Sequence, residues 1–199
     1  MIKSFDSIAE MDAYINPLIQ GDFSGDDMLI LADHVKKLQA GDYYLEIGVK
    51  RGKSAACAIF SAQEGVQMFF CDIEDWGADS TTISRKDFFE SQRLDTKSIF
   101  MLGDSAKIAS IWPAEIQFSL ILIDGDHFYK GVKADIEGWY PHLKQGGVML
   151  FHDYGTGGVD KAVDELVRYS DKWQDFFIGM EKYPIHSSSI VGVIKKEVD

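Results

Sequence analysis

A chain of 199 residues that is 46% hydrophobic can bury one sizeable core and is short for two, so a single domain over 1–199 is expected. Thirty-two acidic residues against twenty basic ones leave a net charge of −12, which disfavours a sequence-independent grip on nucleic-acid phosphates or an anionic membrane. The N-terminal stretch lacks the apolar core of a signal peptide and the Arg-rich character of a transit peptide, and nowhere do about 18 apolar residues run together, so a soluble, cytoplasmic protein is expected.

In chain order, 1–41 is expected to form a helical cap, with GDFSGDDMLILADHVKKLQ as its clearest helix, ahead of a core over 42–199. From there short apolar runs alternate with amphipathic stretches. YYLEIG (43–48), VQMFFCD (66–72), SIFMLGD (98–104), FSLILID (118–124) and GVMLFHD (147–153) each close on a glycine or an acid. Each reads as a strand buried on both faces, with its polar residue at the carboxyl end. Between them lie GKSAACAIFSAQ, STTISRKDFFESQRL, SAKIASIW and YKGVKADIEGWYPHL, all of helical length. In the last, Val132, Ile136 and Trp139 recur at spacings of four and three, which is one helical face. Strict alternation predicts right-handed crossovers and an α/β, doubly wound, Rossmann-like sheet. DKAVDELVRYSDKW (160–173) reads as a further helix. DFFIGM and SSIVGVIKK, joined by a short KYPIHS connection, read as an antiparallel C-terminal hairpin at the sheet edge. Cys57 and Cys71 lack CxxC spacing and sit in apolar runs, so buried thiols are expected rather than a disulfide or zinc site.

Open parallel sheets bind ligands beyond the carboxyl ends of their strands, and the chemistry-bearing residues of this chain gather there. In EIGVKRGKS (46–54), Gly48 and Gly52 permit a tight turn and close backbone approach, and the N–H groups of the helix start suit a carboxylate or phosphate. The segment reads equally as a plain strand-to-helix turn, and its spacing matches neither GxGxxG nor GxxxxGK[ST]. Asp72 ends the second strand, where an acid can accept hydrogen bonds from both hydroxyls of a ribose. Gly103-Asp104-Ser105 can cap the helix that follows, place a polar edge against a nucleobase, or do both. Asp124 and Asp153 end consecutive strands, so on neighbouring strands their carboxylates face one cleft and can share a hard cation such as Mg²⁺. His127, three residues after Asp124, puts a proton acceptor beside them. His152 alternates with Asp153 and is expected to point back into the sheet.

Glu46-x-Gly48-x-x-x-Gly52-x-Ser54, Asp72, Gly103-Asp104-Ser105 and above all IDGDHFYKGVKADIEGWYPHLKQGGVMLFHDYG resemble class I S-adenosylmethionine-dependent methyltransferases of the domain-24 type. These are small-molecule O-methyltransferases related to the metal-dependent catechol and caffeoyl-CoA enzymes, and the likeness runs from about residue 42 to the C-terminus. It implies a seven-stranded sheet with an antiparallel last strand. It also implies that Glu46, Gly48 and Ser54 hold the methionine part of the cofactor, with Gly52 in the same loop. Asp72 would bind the ribose hydroxyls, and Asp104 with Ser105, next to Gly103, would lie beside the adenine. Asp124 would face the cofactor and, with Asp153, bind Mg²⁺, while His127 stands where relatives often carry a lysine as proton acceptor. Those relatives usually have Asp-Asn or Asp-Asp where this chain has Asp153-Tyr154, so a third protein ligand is missing.

The implied activity is O-methylation of a hydroxyl on a small molecule, a sugar or secondary metabolite, with His127 as general base and Asp124 as its electrostatic or metal anchor. S-adenosylmethionine is the implied cofactor, with Mg²⁺ assistance. A protein that binds S-adenosylmethionine without turnover is the second reading, and a nicotinamide oxidoreductase, opposed by the missing GxGxxG, the third. Trp76, Tyr129 and Tyr154 are candidates to line an apolar acceptor pocket, and Arg51, Lys53, Arg85 and Lys86 to receive an anionic acceptor; each reads equally as packing or solvated surface. The terminal hairpin and N-terminal helices are candidate contact surfaces for a homodimer.

Overall fold

The computed structural model describes residues 3–19, 21–75, 83–95, 98–179 and 189–197. Seven strands form one sheet: β1 (Tyr43–Ile47), β2 (Gln67–Asp72), β3 (Ser98–Leu102), β4 (Phe118–Ile123), β5 (Leu143–Phe151), β6 (Trp173–Ile178) and β7 (Val191–Lys195), in the order β3-β2-β1-β4-β5-β7-β6. The first five pair in parallel, and β7 runs antiparallel to both β5 and β6. Chain order reverses direction across the sheet at β1 and β4, so the loops after these two strands diverge and leave a crevice between them.

Strict period-2 alternation builds two cores from one set of strands. Tyr44, Met68, Phe70, Leu120, Leu122 and Leu150 face α1 (Ile8–Ile15), α2 (Gly25–Val35), α3 (Lys53–Ser61) and α4 (Arg85–Ser91). Leu45, Phe69, Ile121, Ile123, Met149 and Phe151 face α5 (Ser105–Ser110), α6 (Tyr129–Trp139) and α7 (Gly158–Val163). Val132, Ile136 and Trp139 are all buried, as their spacing predicts. The N-terminal segment supplies α1 and α2. Ser24 and Asp27 close a reciprocal capping box at the start of α2, which fixes where that helix begins.

Two expectations need correction. The stretch 160–173 is not one helix: α7 ends at Val163, a π-helical turn covers Asp164–Arg168, and Trp173 opens β6. The tryptophan is claimed by the sheet because its ring packs edge-on against Tyr140, at 4.9 Å between centroids, and its Nε1–H donates to the Leu166 carbonyl at 3.1 Å. The third apolar run is not buried on both faces, because β3 is the outermost strand and Ile99, Phe100 and Leu102 stand exposed. Residues 80–82 of the predicted second helix and the KYPIHS connection lie outside the described residues.

Both cysteines are free and buried, and burial pushes each thiol up to about 12. No helix of the described residues is long and apolar enough to cross a membrane.

Candidate functional site

The crevice opens into a cavity of about 670 Å³ at the carboxyl ends of the parallel strands, within the range of small-molecule sites. The glycine loop after β1, Asp72, Gly103-Asp104-Ser105, Asp124, His127 and Asp153 all line it, so the topology brings the sequence-predicted residues to one place. The N-terminal segment adds Gly21, Asp22 and Phe23 as a further wall.

The glycine loop is fitted against its neighbour across the crevice. Gly48 has φ +84°, and a Cβ there would lie 2.1 Å from the Asp124 carbonyl oxygen and 2.5 Å from the Gly125 Cα. Only glycine lets the loop after β1 cross the loop after β4 at this distance. The loop is held from its other side by Asp72, whose Oδ2 accepts the Val49 N–H at 2.9 Å and the Lys50 N–H at 2.6 Å. Asp72 Oδ1 accepts the Glu74 N–H at 3.1 Å, which leaves that oxygen a second lone pair toward the cavity.

Glu46 stands differently from the expectation. It is fully enclosed and is not part of the cavity lining. Its Oε1 accepts from Ser54 Oγ at 2.6 Å and its Oε2 from Tyr44 Oη at 2.8 Å. The acid therefore pins the first turn of α3, from which Ser54 does reach the wall, and any contact of Glu46 with a ligand would run through Ser54. Burial drives its carboxyl up to about 8, against the pull of Ser54 and Tyr44, so that it is a neutral acid at neutral pH.

At the other end, Asp104 caps α5 by accepting the Lys107 N–H at 3.1 Å. Ser105 Oγ donates to Asp135 of α6, a buried cavity residue absent from the sequence-derived set. Burial lifts the Asp135 carboxyl to about 6. Its helical spacing gave no hint of function, because position 135 adjoins the buried Ile136 and reads as the edge of a packed face.

The acids after β4 and β5 meet around a residue that sequence reasoning turned the wrong way. His152 does follow Phe151 onto the opposite face of the sheet, but at the strand end that face is the cavity floor. Its ring stacks on Phe23, at 4.9 Å and 29°. Nδ1 lies 3.0 Å from Asp124 Oδ1 and 3.1 Å from Asp153 Oδ2, and Nε2 lies 3.4 Å from Asp27 Oδ2. Burial opposes charge on this ring, yet the hydrogen bond to Asp124 and the nearby carboxylate of Asp27 outweigh it and push His152 up to about 11. Asp27 also accepts from Ser24 and from the Ser189 N–H. It reads in sequence as a helix cap and nothing more. His127 is half-exposed on the cavity wall, with Nε2 3.1 Å from Asp153 Oδ2.

Donor atoms of Asp124, His152 and Asp153 all lie within 4.8 Å of one another, a group that can hold a metal ion. His152 is thus a candidate third donor beside the two acids read from the sequence.

Several of the other candidates lie outside the cavity lining. Tyr129 donates to Glu165 and Tyr154 to Asp164, both outside the lining. Arg85 is buried outside the lining, donating to the Lys50 carbonyl at 3.0 Å and Asp75 at 3.1 Å. Arg51 and Lys53 do line the cavity, with Lys53 itself buried and paired with Asp12 at 3.1 Å. Trp76 lies outside the described residues.

Several known proteins are similar to this chain. An O-methyltransferase from Bacillus cereus, in complex with SAH, is 18% identical, with a TM-score of 0.63 over 94% of this chain and 89% of that one. The O-methyltransferase TomG from Streptomyces achromogenes, involved in tomaymycin synthesis and in complex with SAM, is 13% identical, with a TM-score of 0.67 over 99% and 92%. The MycE methyltransferase of the mycinamycin biosynthetic pathway, in complex with Mg and SAH, is 16% identical, with a TM-score of 0.61 over 98% of this chain and 55% of that one. At these identities the likeness is one of fold. A curated protein of Sinorhizobium fredii, the uncharacterized y4gI, is 56% identical over 34 residues, which are 17% of this chain and only 4% of that protein. The model of the methyltransferase domain family Methyltransf_24 matches residues 45–154, from β1 through the Asp153-Tyr154 pair. The chain belongs to this methyltransferase domain family.

Proposed function

We propose that the protein is an S-adenosylmethionine-dependent methyltransferase that transfers a methyl group to a hydroxyl of a small molecule. The observation that carries the reading is the single cavity in which the glycine loop, Asp72, Gly103-Asp104-Ser105, Asp124 and His127 converge. Gly48, Gly52 and Ser54 would cradle the methionine part, Asp72 Oδ1 the ribose hydroxyls, and Asp104 with Ser105 the adenine. When bound, S-adenosylmethionine supplies an electrophilic methyl carbon on a sulfonium.

What the chain contributes is alignment and a proton acceptor. Holding acceptor oxygen and methyl carbon in line is worth up to roughly 7–11 kcal/mol in well-oriented systems. Asp153 faces His127 Nε2 and favours the tautomer protonated there, leaving Nδ1 to take the acceptor's proton as its oxygen attacks. Protonated, His152 is held between Asp27 and Asp124, and it would join Asp124 and Asp153 around a cation only as a neutral imidazole that has given up its Nδ1 proton; in neither state is it placed to serve as that base. Asp124, Asp153 and His152 fit a divalent cation by donor type and spacing; such an ion would act as a Lewis acid that lowers the acceptor's pKa.

Isothermal titration with S-adenosylmethionine and its demethylated product, with and without Mg²⁺, tests the reading on wild type and Asp72→Ala. Micromolar binding that weakens at least tenfold in the variant supports it, and absence of binding to wild type refutes it.

A further inference from the structure

One end of the cavity differs from the rest. Its lining from the loop after β3 and α5 includes Gly103 and Ala106, and from the loop after β4 and α6 it includes Gly125, Gly131 and Ala134, with Asp135 among them. Side chains this small leave room for a flat ring to lie close to the backbone. Asp135 is only 4% exposed, and what surface it keeps belongs to the lining of this end of the cavity. Ser105 Oγ occupies Oδ1. A Cβ on Gly125 would sit 3.8 Å from Oδ2, so the glycine leaves that oxygen uncovered, and among the described residues no hydrogen-bond donor is found for it. A buried carboxylate with one oxygen satisfied and the other open is an acceptor that calls for a donor from the ligand.

We propose that Asp135 reads the nucleobase: its Oδ2 accepts a hydrogen bond from the exocyclic amino group of adenine, making Asp135 a specificity-determining residue that selects an amino-bearing purine over its oxo counterpart. The inference rests on the proposed use of an adenosyl cofactor. Asp104 and Ser105, which the family resemblance implies beside the base, each already spend a contact within the chain, Asp104 with the Lys107 N–H and Ser105 with Asp135 itself, so the open acceptor there is Asp135. Ser105 becomes the positioning residue that fixes the carboxylate. A purine bearing an oxo group at the same position would set a carbonyl oxygen against this carboxylate, which could regain a donor, the ring N1–H, only if the base shifted in its seat.

The test compares S-adenosylhomocysteine with its deaminated analogue, S-inosylhomocysteine, by isothermal titration on wild type and Asp135→Asn. Asparagine can still accept from Ser105 while turning an N–H₂ toward the cavity, so it inverts the polarity at the position of Oδ2. Wild type is expected to bind the inosyl compound at least about tenfold more weakly. In Asp135→Asn that ratio shrinks below about threefold or reverses. Equal affinities in wild type, or an unchanged ratio in a folded variant, overturn the proposal. The wild-type ratio decides even if the variant does not fold. A purely structural Asp135 would weaken both ligands together and leave the ratio alone. Failure of wild type to bind S-adenosylhomocysteine at all overturns the cofactor reading and this inference with it, whereas binding without discrimination overturns this inference alone.

Discussion

Glu46 is an acid inside the apolar layer between the sheet and the N-terminal helices, and replacing it with glutamine has a calculable consequence. Burial lifts its carboxyl from 4.5 to about 8, with Asp124 adding to the rise and Ser54, Tyr44 and Arg85 opposing it. In the unfolded chain the same group ionises near its ordinary value. Between the two values the folded state therefore holds a proton that the unfolded state has lost. Stability from this group is fully present below about pH 4.5, declines as pH rises, and is exhausted above about pH 8. At about 1.4 kcal/mol per pH unit, the decline reaches roughly 5 kcal/mol across the window. Glutamine fills the same volume, keeps an acceptor for Ser54 and has no charge to bury. Urea denaturation at steps from pH 5.5 to 7.5 is the assay. Over those two units the difference between wild type and Glu46→Gln should move by roughly 3 kcal/mol in favour of the variant. Every other titrating group is shared by both proteins and cancels in the difference, so parallel pH profiles would refute the account of Glu46 as a neutral buried acid.

Gly48→Ala should lose about 3 kcal/mol or more, since a left-handed backbone is compounded by a Cβ 2.1 Å from a carbonyl oxygen; a shift under about 1 kcal/mol in chemical denaturation would contradict the loop crossing. Asp27→Ala leaves His152 Nε2 and the Ser189 N–H without their carboxylate, and a loss of about 3–5 kcal/mol is expected from breaking a buried pair on one side. Thermal unfolding of that variant within about a degree of wild type would count against the network. His127→Ala, at a half-exposed position, should leave stability within about 0.5 kcal/mol and cofactor affinity unchanged. Methyl transfer should fall about 10²–10⁴-fold, and a wild-type rate with the true acceptor would remove His127 as the base.

Most of the sheet was legible because the signals that specify it are local. Five apolar runs ending in glycine or acid became the five parallel strands, and the short connection between two β-rich runs foretold the antiparallel pair. What local pattern does not carry is the position of a strand within the sheet. SIFMLGD looks like its neighbours, yet order alone leaves Ile99 and Leu102 exposed at the edge. The same limit applies to the site. The glycine loop, Asp72, Asp124 and His127 announce themselves by residue type at strand ends. Asp27 and Asp135 become site residues only through contacts 125 and 30 positions away in sequence, to His152 and Ser105. His152 was misjudged for a related reason. Alternation correctly sends it to the face opposite Phe151, but whether that face is core or cavity at the last residue depends on how far α2 and Phe23 extend over the strand end.

The charge of the cavity separates the adenosyl reading from the nicotinamide one more sharply than the missing GxGxxG does. Among the described residues seven aspartates line it, at positions 22, 72, 104, 124, 126, 135 and 153, against Lys50, Arg51, Lys53 and two histidines. Lys50 is committed to Asp22 at 3.0 Å and Lys53 to Asp12 at 3.1 Å, so two of the three strong bases are neutralised within the chain. A dinucleotide brings a pyrophosphate that needs uncompensated N–H groups or bases, and here the loop N–H groups of Val49 and Lys50 are already given to Asp72. A sulfonium brings positive charge, which an acidic wall favours. Titration with NAD⁺ should accordingly give no binding at millimolar concentration while S-adenosylmethionine binds in the micromolar range, a gap of about 4 kcal/mol. Comparable affinities would mean that the field of these aspartates does not govern what enters the crevice.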